Sequence, residues 1–215
     1  AATCAFLSRV EDKMTDAAQD IRIAEEDRLR VEVYDLLAAL LADPPSKERL
    51  RALGRLVGDT TPFGTAVDTL AKLARATSAA TVEREFNDLF IGIGRGELLP
   101  FASYYLTGFL NEKPLATLRK DMADLSIARA PNVYEPEDNI ASLMEMMAGL
   151  IDGRFGAPAS LEKQREFFNR HIAPWAGHFY SDLEKARGSV FFLPVGTLGR
   201  IFIDIEREAF RLGGT

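Results

Sequence analysis

Apolar residues recur along the chain at the three-to-four-residue spacing of helices that bury one face. Leu29, Val33, Leu36, Leu37, Leu40 and Leu41 share a face, with Glu32 and Asp35 between them, and predict an amphipathic helix. Asp43-Pro44-Pro45 ends it, because proline disfavours helix in the residue before it. Ser46 reads as the N-cap of a second helix carrying Leu50, Leu53, Leu56 and Val57. A third pattern runs from about 63 to 76 through Val67, Leu70 and Leu73. A fourth carries Val82, Phe86, Leu89 and Phe90 and ends in a loop, Gly92-Ile93-Gly94-Arg95-Gly96. Residues 102–111 and 114–126 give two short helices, the second with Pro114 in its first turn, where proline is tolerated.

The clearest break lies at 128–136, where Pro131 and Pro136 bracket Asn132. It predicts a hinge at 131–138 between an N-terminal helical part, 26–130, and a C-terminal part, 139–215, with residues 1–25 as an extension. Beyond it, Ile140, Leu143, Met144, Met147, Leu150 and Ile151 keep a helical spacing. A Gly/Pro-rich turn at 152–160 precedes helices at about 160–171, 173–187 and 194–212. The last carries a stripe of Leu198, Ile201, Phe202, Ile205 and Leu212. No alternating run bounded by turn residues reads as a strand, and no repeat is present. The expectation is an all-α fold: one compact domain of nine or ten helices, in two subdomains joined at the hinge.

Composition narrows the function. With 47% hydrophobic and 27% charged residues, the chain is ordinary for a globular protein. The single cysteine, Cys4, permits no internal disulfide and fits a reducing compartment. No run approaches the ~18 apolar residues of a membrane span, and the first ten residues lack the basic start of a signal peptide. Met14 offers an alternative start, with 1–13 as an extension. The expected location is the cytoplasm, without stable membrane insertion. The net charge of −6 disfavours nucleic acid, which needs clustered cations, and suits a basic peptide better, although a role in solubility alone explains it as well.

Catalytic signatures are absent. None of the seven lysines is followed by Ser or Thr, so there is no P-loop. The residues three before His171 and His178 are Phe168 and Trp175, which excludes the Glu-x-x-His pairs of a helical di-iron site. One cysteine and two histidines are too few for structural zinc, and Gly92, Gly94 and Gly96 follow a helix rather than a strand. No cofactor or metal is expected.

Acids remain. Between Pro131 and Asp152 stand Glu135, Glu137, Asp138, Glu145 and Asp152, with no Lys or Arg. Acids at a helix start commonly serve the helix dipole, and that is the plainer reading of Glu135, Glu137 and Asp138. Upstream lie Phe101, Tyr104, Tyr105 and Phe109, of which Phe109 is expected in the core. Acids beside rings would suit a peptide with a basic head and an apolar body.

The string Glu135-Pro-Glu-Asp138-Asn139-Ile-Ala-Ser-Leu-Met-Glu-Met-Met147 resembles the signature of the TorD/DmsD/NarJ family of redox-enzyme maturation chaperones. Tyr34-Asp-Leu-Leu-Ala38 with Pro44, Glu85–Gly92 followed by Pro100-Phe-Ala-Ser-Tyr104-Tyr105, and His171-Ile-Ala-Pro174-Trp175 with Phe179 are similar to further blocks of that family, in the same order. The signature histidine is Asn139 here, which cannot become charged near neutral pH. The resemblance implies an all-helical, non-enzymatic chaperone. It would bind the twin-arginine leader, or the body, of a redox enzyme precursor (in this family often a molybdenum enzyme) until its cofactor is inserted. It also implies peptide contacts at Glu135, Glu137, Asp138 and Asn139, with Phe101, Tyr104 and Tyr105 as apolar or stacking partners. His171 and Trp175 are read as packing residues. A monomer or a domain-swapped homodimer fits the hinge.

Two other readings compete. A helical regulator would need a basic DNA-binding segment near the start, but residues 1–60 hold 12 acids against 9 Lys and Arg. A helical metal-dependent enzyme would need paired acids on facing helices, and one cluster is visible.

Overall fold

The computed structural model describes residues 24–92, 95–129 and 134–213. All but the last two residues of the expected extension, and the first three of the expected hinge, therefore lie outside the described residues, as do Cys4, Met14 and Gly94. Among those described, ten α-helices and no strand are present, as the apolar spacing predicts. They are α1 (Glu25–Ala42), α2 (Lys47–Leu53), α3 (Pro62–Ala76), α4 (Ala79–Phe86), α5 (Ala102–Thr107), α6 (Lys113–Asp124), α7 (Ile140–Asp152), α8 (Leu161–Phe167), α9 (Ala176–Lys185) and α10 (Leu193–Leu212). Helices α4 and α8 each run on into a widened turn, Asn87–Ile91 and Phe168–Ile172. In these turns the Gly92 and Ala173 amides donate to carbonyls five residues back.

Half of the ten helix starts carry a side-chain acceptor. Ser46, Thr61, Ser78, Asn139 and Ser160 each take a backbone N–H of the first turn, which satisfies a group the helix itself leaves unbonded.

Helix α7 is the centre of the core. Ten of its thirteen residues are buried, and α1 packs along it. Helix α10 packs against α9 and α3, so one buried cluster draws on helices from both sides of the 131–138 segment. The α9–α10 approach is close: a Cβ at Gly199 would fall 2.2 Å from Tyr180 Cε1, so only glycine fits that ring there.

Two apolar stripes differ from expectation. In α1 the buried residues are Val31, Tyr34, Leu37, Ala38, Leu40 and Leu41, while Leu29 is exposed. In α10 they include Leu198, Phe202, Ile203, Glu206 and Phe210, while Ile205 and Leu212 face outward. The reason is a polar clasp. Glu206 is 1% exposed, and its carboxylate accepts from Arg30 Nε and Nη2, both at 2.8 Å, and from the Tyr34 hydroxyl at 2.8 Å. A glutamate at a core position hides the true stripe from any reading that counts only apolar residues.

Candidate functional site

The motif residues meet at the N-terminal end of α7. Phe101 and Asn139 form an antiparallel bridge: the Ala102 amide donates to Asp138 O at 2.9 Å, and the Ile140 amide to Pro100 O at 2.8 Å. Asn139 is the N-cap of α7, its Oδ1 accepting from the Ala141 amide at 2.8 Å. Its Nδ2 donates to Glu135 Oε1 at 3.1 Å. The acids thus precede the helix, and none lies in its first turn. The dipole role expected of them passes to the neutral amide of Asn139.

Asp138 serves a different helix. It is fully buried, and its Oδ2 accepts from the Ser103 amide at 2.7 Å, at the start of α5, which has no side-chain cap of its own. Asp138 Oδ1 and Ser103 Oγ are buried with no hydrogen-bond partner among the described residues. A buried carboxylate oxygen with spare lone pairs is costly, and it is a receptive acceptor for any donor that reaches it.

Asp138 also lines a cleft of about 340 Å³ with Leu106, Pro114, Leu118, Leu143 and His171. Lys113 and Arg170 line it too. His171 Nε2 lies 2.7 Å from Asp121 Oδ2, which also receives Arg170 Nη1 at 2.7 Å. Burial pulls the His171 pKa down, against the pull of Asp121. Trp175 donates its indole N–H to His171 O at 2.8 Å and is buried, as a packing residue should be. Three motif blocks, distant in sequence, therefore share one cleft.

The other named residues are placed as follows. Glu137 holds Arg119 at 2.9 Å and Arg129 at 3.2 Å. Burial would raise its carboxyl, but its own backbone N–H and these arginines outweigh that and keep it low. Phe101 is buried in the bridge. Tyr104 turns to Arg95, whose guanidinium sits 5.2 Å over its ring and donates to its hydroxyl at 2.7 Å. Tyr105 packs on Trp175 with centroids 5.3 Å apart and donates to Asp182 at 3.0 Å. Phe109, expected in the core, is 69% exposed, beside exposed Leu106 and Leu110. Its loop follows Gly108 in the left-handed conformation, which turns the chain outward before α6 begins.

Two acids lie in a field of their own sign. Burial and nearby Asp43 raise the Glu135 carboxyl, against its bond from Asn139. Burial, Asp35 and Asp43 raise that of Glu145, against Arg154. Asp35 and Asp43 come from α1 and the turn after it, so sequence reading could not place them beside 135–145. Among the described residues no group of three His, Cys, Asp or Glu side chains is placed to hold a metal ion, and no helix is long and apolar enough to cross a membrane.

Residues 58–181 match the nitrate reductase delta subunit family. The Chaperone protein TorD of Vibrio parahaemolyticus is 24% identical over 216 residues, covering 91% of this chain and 99% of that protein. The Chaperone protein TorD of Aliivibrio fischeri is 27% identical over 173 residues, covering 70% and 80%. That of Vibrio cholerae is 30% identical over 102 residues, 44% and 46% of the two chains. Since the match takes in more than half the chain, including the bridge, the cleft and the acids beside it, the chain belongs to the nitrate reductase delta subunit family, the TorD/NarJ family that its motifs resemble.

Proposed function

We propose that this chain is a cytoplasmic chaperone, and not an enzyme, that binds the twin-arginine leader of a molybdenum enzyme precursor and holds it until the cofactor is in place. Its kinship with the TorD chaperones supports the general reading. The observation that carries the finer one is an exposed acidic surface beside the motif residues: partial burial raises the carboxyls of Glu135 and Glu145, and each also feels the charge of Asp43. Like charges held together repel, and an arriving guanidinium relieves that repulsion while forming paired hydrogen bonds. The leader's apolar stretch then lies over Leu106, Phe109 and Leu110, with Tyr104 and Tyr105 available on the flank of α5. Asp138 offers Oδ1 to a donor entering the cleft. In this reading Phe101, Glu137 and Asn139 hold the surface in shape.

Titration calorimetry with a twin-arginine leader peptide tests this. We expect binding that falls at least tenfold, about 1.4 kcal/mol, in the double variant Glu135→Gln, Glu145→Gln, and similarly when both peptide arginines become glutamine. Equal binding of the arginine and glutamine peptides, or none of either, overturns the proposal.

A further inference from the structure

The cleft at Asp138 keeps two buried polar atoms in reserve. Asp138 Oδ1 and Ser103 Oγ have no hydrogen-bond partner among the described residues, and both residues are fully buried. They stand together, because the Ser103 amide holds the other oxygen of Asp138 at 2.7 Å. The remaining polar side chains of the cleft are engaged or lie at its rim. His171 Nε2 and Arg170 Nη1 both meet Asp121, each at 2.7 Å. Thr107 and Thr117 donate to carbonyls one turn back in their own helices, and Lys113 is exposed.

The free atoms limit what fits. With Oδ2 taken, Asp138 presents one oxygen, whereas a guanidinium fork is matched by two. A single donor satisfies it. The Ser103 hydroxyl donates as well as accepts, so the pair suits a group that does both. A hydroxyl is such a group, while an ammonium or a guanidinium only donates.

Walls and rim narrow the choice further. Pro114, Leu118 and Leu143 line the cleft, the two leucines buried. Its volume of about 340 Å³ is at the small end of ligand sites, room for one bulky side chain rather than a length of chain. Lys113 and Arg170, exposed at the mouth, oppose the entry of a cation. The occupant therefore has an apolar body, a hydroxyl at its tip and no positive charge. Serine and threonine lack the body; tyrosine carries its hydroxyl at the far end of a ring.

We infer that this cleft is a specificity pocket for a tyrosine side chain of the polypeptide the chaperone holds. The phenol donates to Asp138 Oδ1 and accepts from the Ser103 hydroxyl. The source of the tyrosine rests on the chaperone reading above; the pocket itself does not. Arginines of the same polypeptide are met outside it, at Glu135 and Glu145. A segment with arginines and no tyrosine leaves the two buried atoms unanswered, which is how a site built for a hydroxyl rejects its absence.

The probes are N-acetyltyrosinamide, N-acetylphenylalaninamide and N-acetylargininamide, titrated separately into the full chain and followed through its backbone amide NMR signals. We expect the tyrosine amide to shift the signals of Thr107, Leu118 and His171, and to bind about tenfold more tightly than the phenylalanine amide. The arginine amide should not saturate those signals. Ser103→Ala should narrow the preference for tyrosine by about threefold with circular dichroism unchanged, since the backbone amide that holds Asp138 survives the substitution. A merely structural role of Ser103 would leave that preference as it is. No binding of the tyrosine amide, equal binding of the phenylalanine amide, tighter binding of the arginine amide, or an unchanged preference in Ser103→Ala overturns the inference. Failure of the leader peptide to bind, with the tyrosine amide still bound, counts against the peptide surface and leaves the pocket standing.

Discussion

At the scale of single residues, two carboxylates deserve opposite expectations. Glu206 is buried with a full set of donors from Arg30 and Tyr34. Glu206→Ala leaves the largely buried Arg30 guanidinium only Asp27 and Gln164, and the buried Tyr34 hydroxyl without its acceptor, and should destabilise the fold by about 3 kcal/mol in urea unfolding. Glu145 is the reverse case. Its carboxyl pKa is raised, so the folded chain binds its proton more readily than the unfolded chain does. Its charge therefore costs stability above the folded pKa, and the cost fades as pH falls toward the unfolded value. Glu145→Gln should raise the urea midpoint at pH 7, and the gain should vanish below about pH 4.3. The sequence shows Glu145 as one of five acids in a stretch without cations. It does not show Glu206 as a core residue, because burial of a charge depends on partners 172 and 176 residues away.

At the scale of the element, local signals are the legible ones. Ser46 stands before its helix in the sequence and caps it in the structure. The spacing of Ile140 to Ile151 is that of a buried helix, and α7 is one. Asn139, placed by resemblance among peptide contacts, proves to be the cap of α7. Asn139→Ala should cost about 1 kcal/mol in thermal or urea unfolding through loss of that cap, with its effect read separately from leader binding. What escapes the sequence is help from outside the element. Asp138 caps α5 from across the bridge, a contact made between residues 35 apart. The stripes of α1 and α10 are shifted because one helix face is chosen by its neighbour, and the neighbour's position is not a local property. Phe109 reads as core by its chemistry alone, yet the left-handed turn at Gly108 carries it outward.

At the scale of the whole molecule, the family was readable from four motifs in order, and the all-helical class from the spacing of apolar residues. The convergence of those motifs was not, since 102, 138 and 171 come together only when α5, α7 and the turn at Phe168–Ile172 are packed. Charge behaves likewise. The total of −6 hides a division into an acidic surface near α1 and α7 and a basic cleft between α2, α3 and α4. A sum over the chain cannot report where either sign gathers.

The clasp between Arg30 and Glu206 bears on the order of events at the ribosome. Synthesis runs from the amino end, so the arginine emerges long before its counter-ion has been polymerised. Until that late glutamate arrives, the cation of α1 has only Asp27, a near neighbour on the same helix, to answer its charge. A nascent chain halted before α10 would consequently leave α1 unfinished as well.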